Sequence, residues 1–162
     1  MHFITISQML GTDGEKIARK VAGDLQYTFY GEQELFKAAE ELDVLADVKK
    51  VDEKAPPFLE RLFSERPKVH LDRLQSVIYD VAKKGDAVFF GRGSQLLLNS
   101  FSCAFHVLVI GSHEKRIERV MKEMGLSRAE AEKTIHRSDQ EKKDFIQFAF
   151  TKKTGSISIC MI

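Results

Sequence analysis

A buried strand that runs through a glycine-containing turn into an amphipathic helix constrains this chain more than any other feature. Residues 3–7 are apolar and β-branched, and apolar residues recur at helical spacing over residues 17–25. The turn between them, residues 8–14, contains Gly11 and Gly14. The backbone N–H groups of such a turn and the positive end of the following helix can converge on a phosphate. The arrangement therefore predicts an anion pocket, with a plain tight turn as the alternative.

The turn departs from the phosphate-loop motif G-x-x-x-x-G-K-[ST], because no Lys-Ser or Lys-Thr pair follows the second glycine. Lys16 lies in the first turn of the predicted helix, where a cation opposes the helix dipole. That placement favours a negatively charged ligand, whereas Glu15 suits the same helix end without any ligand.

Strand and helix patterns alternate along the rest of the chain. Strands are predicted at residues 3–7, 27–30, 87–90 and 105–110, and helices at 17–25, 32–42, from Leu71 to Val81 and after Gly111. This alternation predicts an α/β fold with a mostly parallel sheet covered on both faces.

Two helix ends carry recognisable signals. Lys83 and Lys84 precede Gly85, which predicts a helix that ends there with a left-handed cap. Ser127 and Glu130 form a capping-box pattern, which predicts the start of a helix that runs towards Phe150.

Composition narrows the class of protein. The 162 residues predict a single domain, 1–162, and the net charge of +1 argues against a nucleic-acid coat or a membrane-surface protein. Cys103 and Cys160 show no metal-ligand spacing, and Cys103 is predicted to be a buried small residue. Because no signal peptide or membrane span is evident, a cytoplasmic setting is predicted.

An arginine between two glycines follows the predicted strand 87–90. Ligands of open parallel sheets bind beyond the carboxyl ends of the strands, and Gly91-Arg92-Gly93 lies at such an end. A guanidinium binds phosphate as a planar fork and stays charged. Arg92 is therefore a candidate phosphate ligand, with a salt bridge to a neighbouring loop as the alternative.

Further arginines follow the strand 105–110. A pair of helices that carries several arginines around a turn at residues 125–127 suits a mobile lid over phosphates. The alternative is a solvated charged face, in which neighbours four residues apart pair weakly. The candidate residues are Arg116, Arg119, Arg128, Arg137 and Asp139, and the surface pairs would be Arg137–Glu141 and Asp139–Lys143.

In this combination and order, the motifs resemble the cytidylate kinase-like family, a branch of the P-loop nucleotide kinases. The resemblance spans residues 3 to 150 and rests on segments 4–7, 11–14, 17–20, 29–30, 88–98, 116–119, 125–127 and 137–139. It implies a P-loop NTPase-like three-layer α/β/α fold with a parallel sheet of about five strands. It also implies ATP as donor, Mg²⁺, and a nucleoside monophosphate such as CMP as acceptor, with an acceptor-side insert at 43–67 and a lid-like region at 111–150.

The resemblance also implies roles for individual residues. Arg92 would hold the acceptor phosphate, Arg116 or Arg119 would contact the donor nucleotide, and Arg137 and Asp139 would belong to the lid. Lys16, Arg92, Arg137 and Asp139 are the catalytic candidates, and no residue is assigned to a metal. The donor phosphates would be cradled by Gly11, Thr12, Asp13, Gly14, Glu15, Lys16 and Ile17.

The chain departs from the family pattern at several positions. Gly14 occupies the position of the phosphate-binding lysine, and Gly31 stands where relatives commonly carry an acidic residue. Relatives continue into a last strand and a further helix. Residues 156–162 are expected to supply that strand or a substitute for it, and not the helix.

Three functions are therefore distinguished. The first is a nucleotide kinase that binds a nucleotide and a small phosphorylated acceptor, without nucleic acid or membrane. The second is a catalytically inactive nucleotide-binding regulator, which Asp13 favours because a carboxylate repels phosphate. The third is an interaction module without a ligand. The oligomeric state stays open, with a homodimer among the assemblies considered.

Overall fold

The computed structural model describes residues 2–48, 66–150 and 160–161. Its strands are β1 (Phe3–Gln8), β2 (Thr28–Tyr30), β3 (Ala87–Phe90), β4 (Ala104–Val109) and β5 (Cys160–Met161). Its helices are α1 (Gly14–Leu25), α2 (Glu32–Glu41), α3 (Leu45–Val48), α4 (Arg66–Ala82), α5 (Ser94–Leu97), α6 (His113–Met124) and α7 (Arg128–Phe150).

The strands form one sheet in the order β2-β3-β1-β4-β5, and every neighbouring pair is parallel. Four strands of three to six residues make up most of it, and the two-residue strand β5 pairs with β4 at the edge. The predicted α/β class with a mostly parallel sheet is therefore confirmed. The C-terminal segment supplies a strand, as expected.

Side chains alternate between the two faces of the sheet, and helices cover both. On one face, Phe3 and Phe89 pack in a core with α2 and α4. On the other face, Ile6 and Val88 pack against Ala18 of α1. Both faces of the central strands are thus buried, which explains why all four residues of β3 and the first half of β1, apart from the buried Thr5, are apolar.

The two helices after β4 form a hairpin with a core of its own. Ile117 and Val120 of α6 pack against Ala131 and Ile135 of α7, and all four are buried. Gly125 ends α6 in the left-handed region, at a φ of 65°. At the start of α7, the Glu130 N–H donates to the Ser127 hydroxyl over 3.4 Å, and the Ser127 N–H donates to the Glu130 carboxylate over 2.9 Å. The Ser127 hydroxyl also donates to that carboxylate, over 2.6 Å. The predicted capping box is therefore confirmed.

Two local predictions are wrong. The helix before β3 ends at Ala82, so Lys83 and Lys84 lie beyond it, and Gly85 has a φ of 145°, outside the left-handed cap region. Cys103 is exposed, because it lies in the loop before β4, where its carbonyl accepts the Phe3 N–H. Residues 49–65, which belong to the predicted insert, lie outside the described residues.

His106 is a partly buried residue of β4. Its Nδ1 lies 2.7 Å from the Thr5 hydroxyl on the neighbouring strand, and burial lowers the pKa of its imidazole. Within the described part of the chain, no helix combines the length and the apolar character that crossing a bilayer requires.

Candidate active site

Two loops leave neighbouring strands at the same edge of the sheet. β1 and β3 are parallel, with Ile6 opposite Phe90, and the Gly91 N–H donates to the Ile6 carbonyl over 2.9 Å. The donor loop (residues 9–13, after β1) and the Gly91-Arg92-Gly93 turn (after β3) therefore emerge side by side. This is the edge at which parallel sheets bind ligands.

The donor loop is tightly folded against the start of α6. The Met9 N–H donates to the Val109 carbonyl over 3.0 Å, and the Thr12 hydroxyl donates to the Met9 carbonyl over 2.8 Å. Gly11 has a φ of 81°, and a Cβ there would lie 2.7 Å from the carbonyl oxygen of Arg116. Only glycine therefore fits this point of the loop.

Gly14, the first residue of α1, is crowded by a side chain that the sequence reasoning did not single out. A Cβ at Gly14 would lie 2.5 Å from the Cβ and 2.7 Å from the Oε1 of Gln8. That Oε1 also lies 3.3 Å from the Thr12 hydroxyl, which donates to it. The Gln8 amide thus occupies the space beside the start of α1.

A carboxylate lies between two cations at the same place. The Asp13 carboxylate is 2.6 Å from Arg119 and 3.5 Å from the Lys16 ammonium. The hydrogen bond from Arg119 is the main reason that the pKa of Asp13 falls below its ordinary value. The Lys16 side chain is 84% exposed, so its main environment is water.

Arg116 is buried and joins the donor loop to α7. Its Nε donates to the Leu10 carbonyl over 2.7 Å, and its two terminal nitrogens donate to the two Asp139 oxygens over 2.9 and 2.7 Å. A second contact joins the same elements, since the Lys142 ammonium of α7 donates to the Gln8 carbonyl. Asp139 thus binds a residue of α6 through both of its oxygens.

Arg92 lies in an unusual stretch of backbone. Gly91, Arg92 and Gly93 have φ values of 67°, 55° and 66°, so all three are left-handed. The Arg92 guanidinium is 2.6 Å from a Glu32 oxygen of α2 and 5.1 Å from the centre of the Phe36 ring. Its side chain is 17% exposed.

A cleft of about 670 Å³ opens between the start of α1, α2 and the 91–93 turn. Its second arginine is Arg19, which binds Glu15 over 2.8 Å and lies 4.1 Å from the centre of the Phe29 ring. The cleft thus has two cations, two carboxylates and aromatic surface. It is lined by Glu15, Arg19, Glu32, Gln33, Phe36, Phe90, Gly91 and Arg92.

The structure brings the predicted site residues into two groups at one sheet edge. The first group surrounds the donor loop and contains Gly11, Thr12, Asp13, Gly14, Lys16, Arg116, Arg119 and Asp139. The second group is the cleft with Glu15 and Arg92. Ile17 is 43% exposed on α1, and Arg137 is exposed on α7. The roles assigned to these residues stay predictions.

Three residues at this edge were missed by the sequence reasoning: Gln8, Glu32 and Lys142. Gln8 directly follows the strand predicted at residues 3–7, which was a signal in the sequence. Lys142 lies three residues after Asp139, so helical spacing already placed the two on one face. Nothing local marked Glu32 as the partner of Arg92, because that contact depends on how α2 packs.

The family model described as the cytidylate kinase-like family matches residues 3–158. Among curated proteins, none matches this chain. Two solved structures have a similar fold. An uncharacterized protein from Eubacterium ventriosum ATCC 27560 has a TM-score of 0.68 at 18% identity, over 100% of this chain and 87% of that one. TT1252 from Thermus thermophilus has a TM-score of 0.51 at 19% identity, over 99% of this chain and 88% of that one.

Proposed function

Because the chain belongs to the cytidylate kinase-like family, we propose that it binds ATP and transfers the γ-phosphate to a nucleoside monophosphate such as CMP. The observation that carries this proposal is the shared sheet edge. The donor loop and the 91–93 turn leave neighbouring parallel strands, and Glu15 and Arg92 line one cleft beside them. Phosphoryl transfer needs two substrates positioned together and their charge neutralised, rather than covalent chemistry by the protein.

On the donor side, the N–H groups of the donor loop and of the start of α1 would hold the ATP phosphates. Arg119 and Lys16 are cations at this place, and both now bind Asp13. An incoming phosphate would replace the Asp13 carboxylate on Arg119. Arg137, exposed on α7, would approach the phosphates as part of the lid.

The described residues can bind Mg²⁺ only together with the phosphates of a nucleotide. They contain no cluster of three or more His, Cys, Asp or Glu side chains. In phosphoryl-transfer sites Mg²⁺ is commonly held by one or two carboxylates together with the substrate phosphates. When bound, the ion would neutralise charge on the transferred group. The carboxylate of Asp13 lies at the donor loop and could take part in holding it.

On the acceptor side, Arg92 would bind the phosphate of the monophosphate as a planar fork. The Glu32 carboxylate occupies the guanidinium in this structure and would give way to that phosphate. Phe36 and Phe90 offer aromatic surface for the base. Such an enzyme would work in the cytoplasm.

A second function is favoured by one observation at the donor loop. Gly14 stands at the lysine position, the Gln8 amide lies beside it, and the Asp13 carboxylate adds negative charge. A protein with this loop could bind nucleotide and transfer nothing, as a regulator.

An assay of ADP release separates the two functions. The protein is assayed with ATP–Mg²⁺ and with CMP, UMP, AMP and GMP in turn. If it is a kinase, we expect turnover with at least one of these acceptors. Arg92→Ala is expected to weaken the acceptor about 10- to 100-fold, because a charge-assisted fork is lost. Arg73→Ala, an exposed arginine of α4 outside the cleft lining, is the matched control. Nucleotide binding without turnover would support the regulator, and an absence of binding would contradict both.

A further inference from the structure

The donor loop has no cation of its own at the position where a phosphate loop carries lysine. Gly14 stands there, and its neighbour Asp13 is negatively charged. A fixed cation at the transferred phosphate stabilises charge that develops in the transition state. If the proposed kinase activity is correct, another part of the chain has to supply that cation.

The two cations already noted at the loop are poorly suited to this task. Arg119 is held by the Asp13 carboxylate at 2.6 Å. Lys16 is also drawn to Asp13, at 3.5 Å, and its side chain is 84% exposed. A mobile, hydrated ammonium on the surface loses more freedom when it is fixed on a phosphate than one that is already held.

Lys142 is a third cation, and it comes from α7 rather than from the loop. Its ammonium donates to the carbonyl of Gln8, the residue at which β1 ends and the donor loop begins. The side chain of the same Gln8 lies against Gly14, within 2.5 Å of where a Cβ would be. Lys142 therefore binds the backbone of the same residue whose side chain lies against Gly14.

The helix that carries Lys142 is fastened to the loop by an independent contact. Asp139, three residues earlier, binds Arg116 through both oxygens, and Arg116 in turn donates to the Leu10 carbonyl. Residues three apart share one helix face, so Asp139 and Lys142 both point at the loop. Lys143, the next residue, is exposed.

We propose that Lys142 supplies the donor site with the cation that the loop lacks at Gly14. The inference rests on the proposed nucleotide site and deepens it. A lysine ammonium carries three N–H donors on a flexible stem, so it can bind a phosphate oxygen as well as protein groups. Lys142 is then a catalytic residue, Asp139 and Arg116 are the positioning residues behind it, and α7 is part of the donor site.

The test uses the full chain and inorganic tripolyphosphate, whose binding reports the phosphate site without a base. Calorimetry compares the unmodified protein with Lys142→Met, which keeps most of the stem and loses the charge. Lys142→Met is expected to bind tripolyphosphate about 10- to 100-fold more weakly, as loss of a charge-assisted contact implies. Lys142→Arg keeps the charge and is expected to retain most of the affinity. Lys143→Met is the matched control and is expected to stay within about twofold of the unmodified protein.

The ADP-release assay and thermal melting complete the experiment. Lys142→Met is expected to lower kcat with little change in the acceptor KM. A variant that melts earlier but binds tripolyphosphate within twofold of the unmodified protein would show that Lys142 only anchors α7, which overturns the proposal. If tripolyphosphate binding depends on Lys142 but no ADP is released, the result supports Lys142 as a phosphate ligand and contradicts the proposed kinase activity. An unmodified protein that binds neither tripolyphosphate nor ATP–Mg²⁺ overturns both.

Discussion

Four arginines around the ends of β1, β3 and β4 each bind a carboxylate of the same chain. The pairs are Arg19–Glu15, Arg92–Glu32, Arg116–Asp139 and Arg119–Asp13. Carboxylates and phosphates compete for the same fork of N–H donors. A phosphate that enters this site therefore has to displace an internal anion, which lowers its net affinity.

The Asp13 carboxylate is the internal anion placed at the donor loop, so its removal should strengthen nucleotide binding. Asp13→Asn keeps the shape of the side chain and leaves Arg119 without its charged partner. We expect roughly a threefold to tenfold gain in ATP–Mg²⁺ affinity at low salt and a smaller gain at high salt, since the effect is electrostatic. Calorimetry at two salt concentrations measures it.

Asp24→Asn serves as the control for that prediction, because Asp24 lies at the other end of α1 and binds Lys20. It should leave ATP affinity unchanged. Weaker binding of Asp13→Asn would mean that the carboxylate helps to hold the ligand, for instance through Mg²⁺.

At the scale of elements, an ion pair between the buried Arg116 and Asp139 helps to hold α7 against the donor loop. Arg116 is 4% exposed, and its guanidinium is balanced by Asp139. Asp139→Asn leaves that buried charge without a partner. Because Asp139 itself is about one-third exposed, we expect a loss of about 2 to 4 kcal/mol in the free energy of unfolding, below the full cost of breaking a wholly buried pair.

Urea denaturation measures this loss. Asp144→Asn is the control on the same helix, since the Asp144 carboxylate accepts from Gln140 at the surface. A loss smaller than about 0.5 kcal/mol for Asp139→Asn, equal to an ordinary surface change, would contradict the role given to the Arg116 pair.

The start of α7 gives a second prediction. Ser127→Ala removes the capping hydroxyl and is expected to cost about 1 kcal/mol. Ser112→Ala is a matched control, because Ser112 stands at the same position of α6 and makes no side-chain capping bond. Chemical denaturation should show a larger loss in the free energy of unfolding for Ser127→Ala than for Ser112→Ala. Equal losses would argue against the capping box as the cause.

The same capping box makes the effect of Ser127→Ala depend on pH. The Ser127 hydroxyl and N–H donate to the Glu130 carboxylate and hold the pKa of that carboxyl below its ordinary value of 4.5. A lowered folded pKa contributes stability above the unfolded pKa, and the contribution is lost as the pH falls through the folded value. The difference in unfolding free energy between the unmodified protein and Ser127→Ala should therefore shrink on acidification below pH 4.5. A difference that grows there would contradict this assignment.

At the scale of the whole molecule, ligand binding should appear as thermal stability. A ligand that binds only the folded state at about 100 times its Kd adds roughly 2.7 kcal/mol. For a chain of this length, that corresponds to a rise in Tm of about 5 to 10 °C. ATP–Mg²⁺ should produce such a rise, adenosine should not, and equal effects of the two would contradict recognition through phosphate.

The elements with strong periodicity could be predicted from the sequence, and contacts between distant elements could not. The alternation of strand and helix patterns predicted a mostly parallel sheet covered on both faces. Gly85 failed as a helix end, because the helix stopped three residues earlier, at Ala82. The exposure of Cys103 depends on the loop before β4, which no local pattern describes.

The candidate site also has parts that the sequence could predict and parts that it could not. Turns at strand ends are local, so the donor loop and the Gly91-Arg92-Gly93 turn could be placed at one edge from strand order alone. The partners of Arg92, Arg116 and Arg119 could not, because each contact joins two elements that only the packed fold brings together.

Arg92 holds a backbone conformation that costs an arginine energy and costs glycine almost nothing. Folding stability alone would therefore favour glycine at position 92, whereas a role for the guanidinium in the cleft would favour arginine. In descendants of this chain that abandon the cleft, we expect glycine at position 92 among the earliest replacements to accumulate.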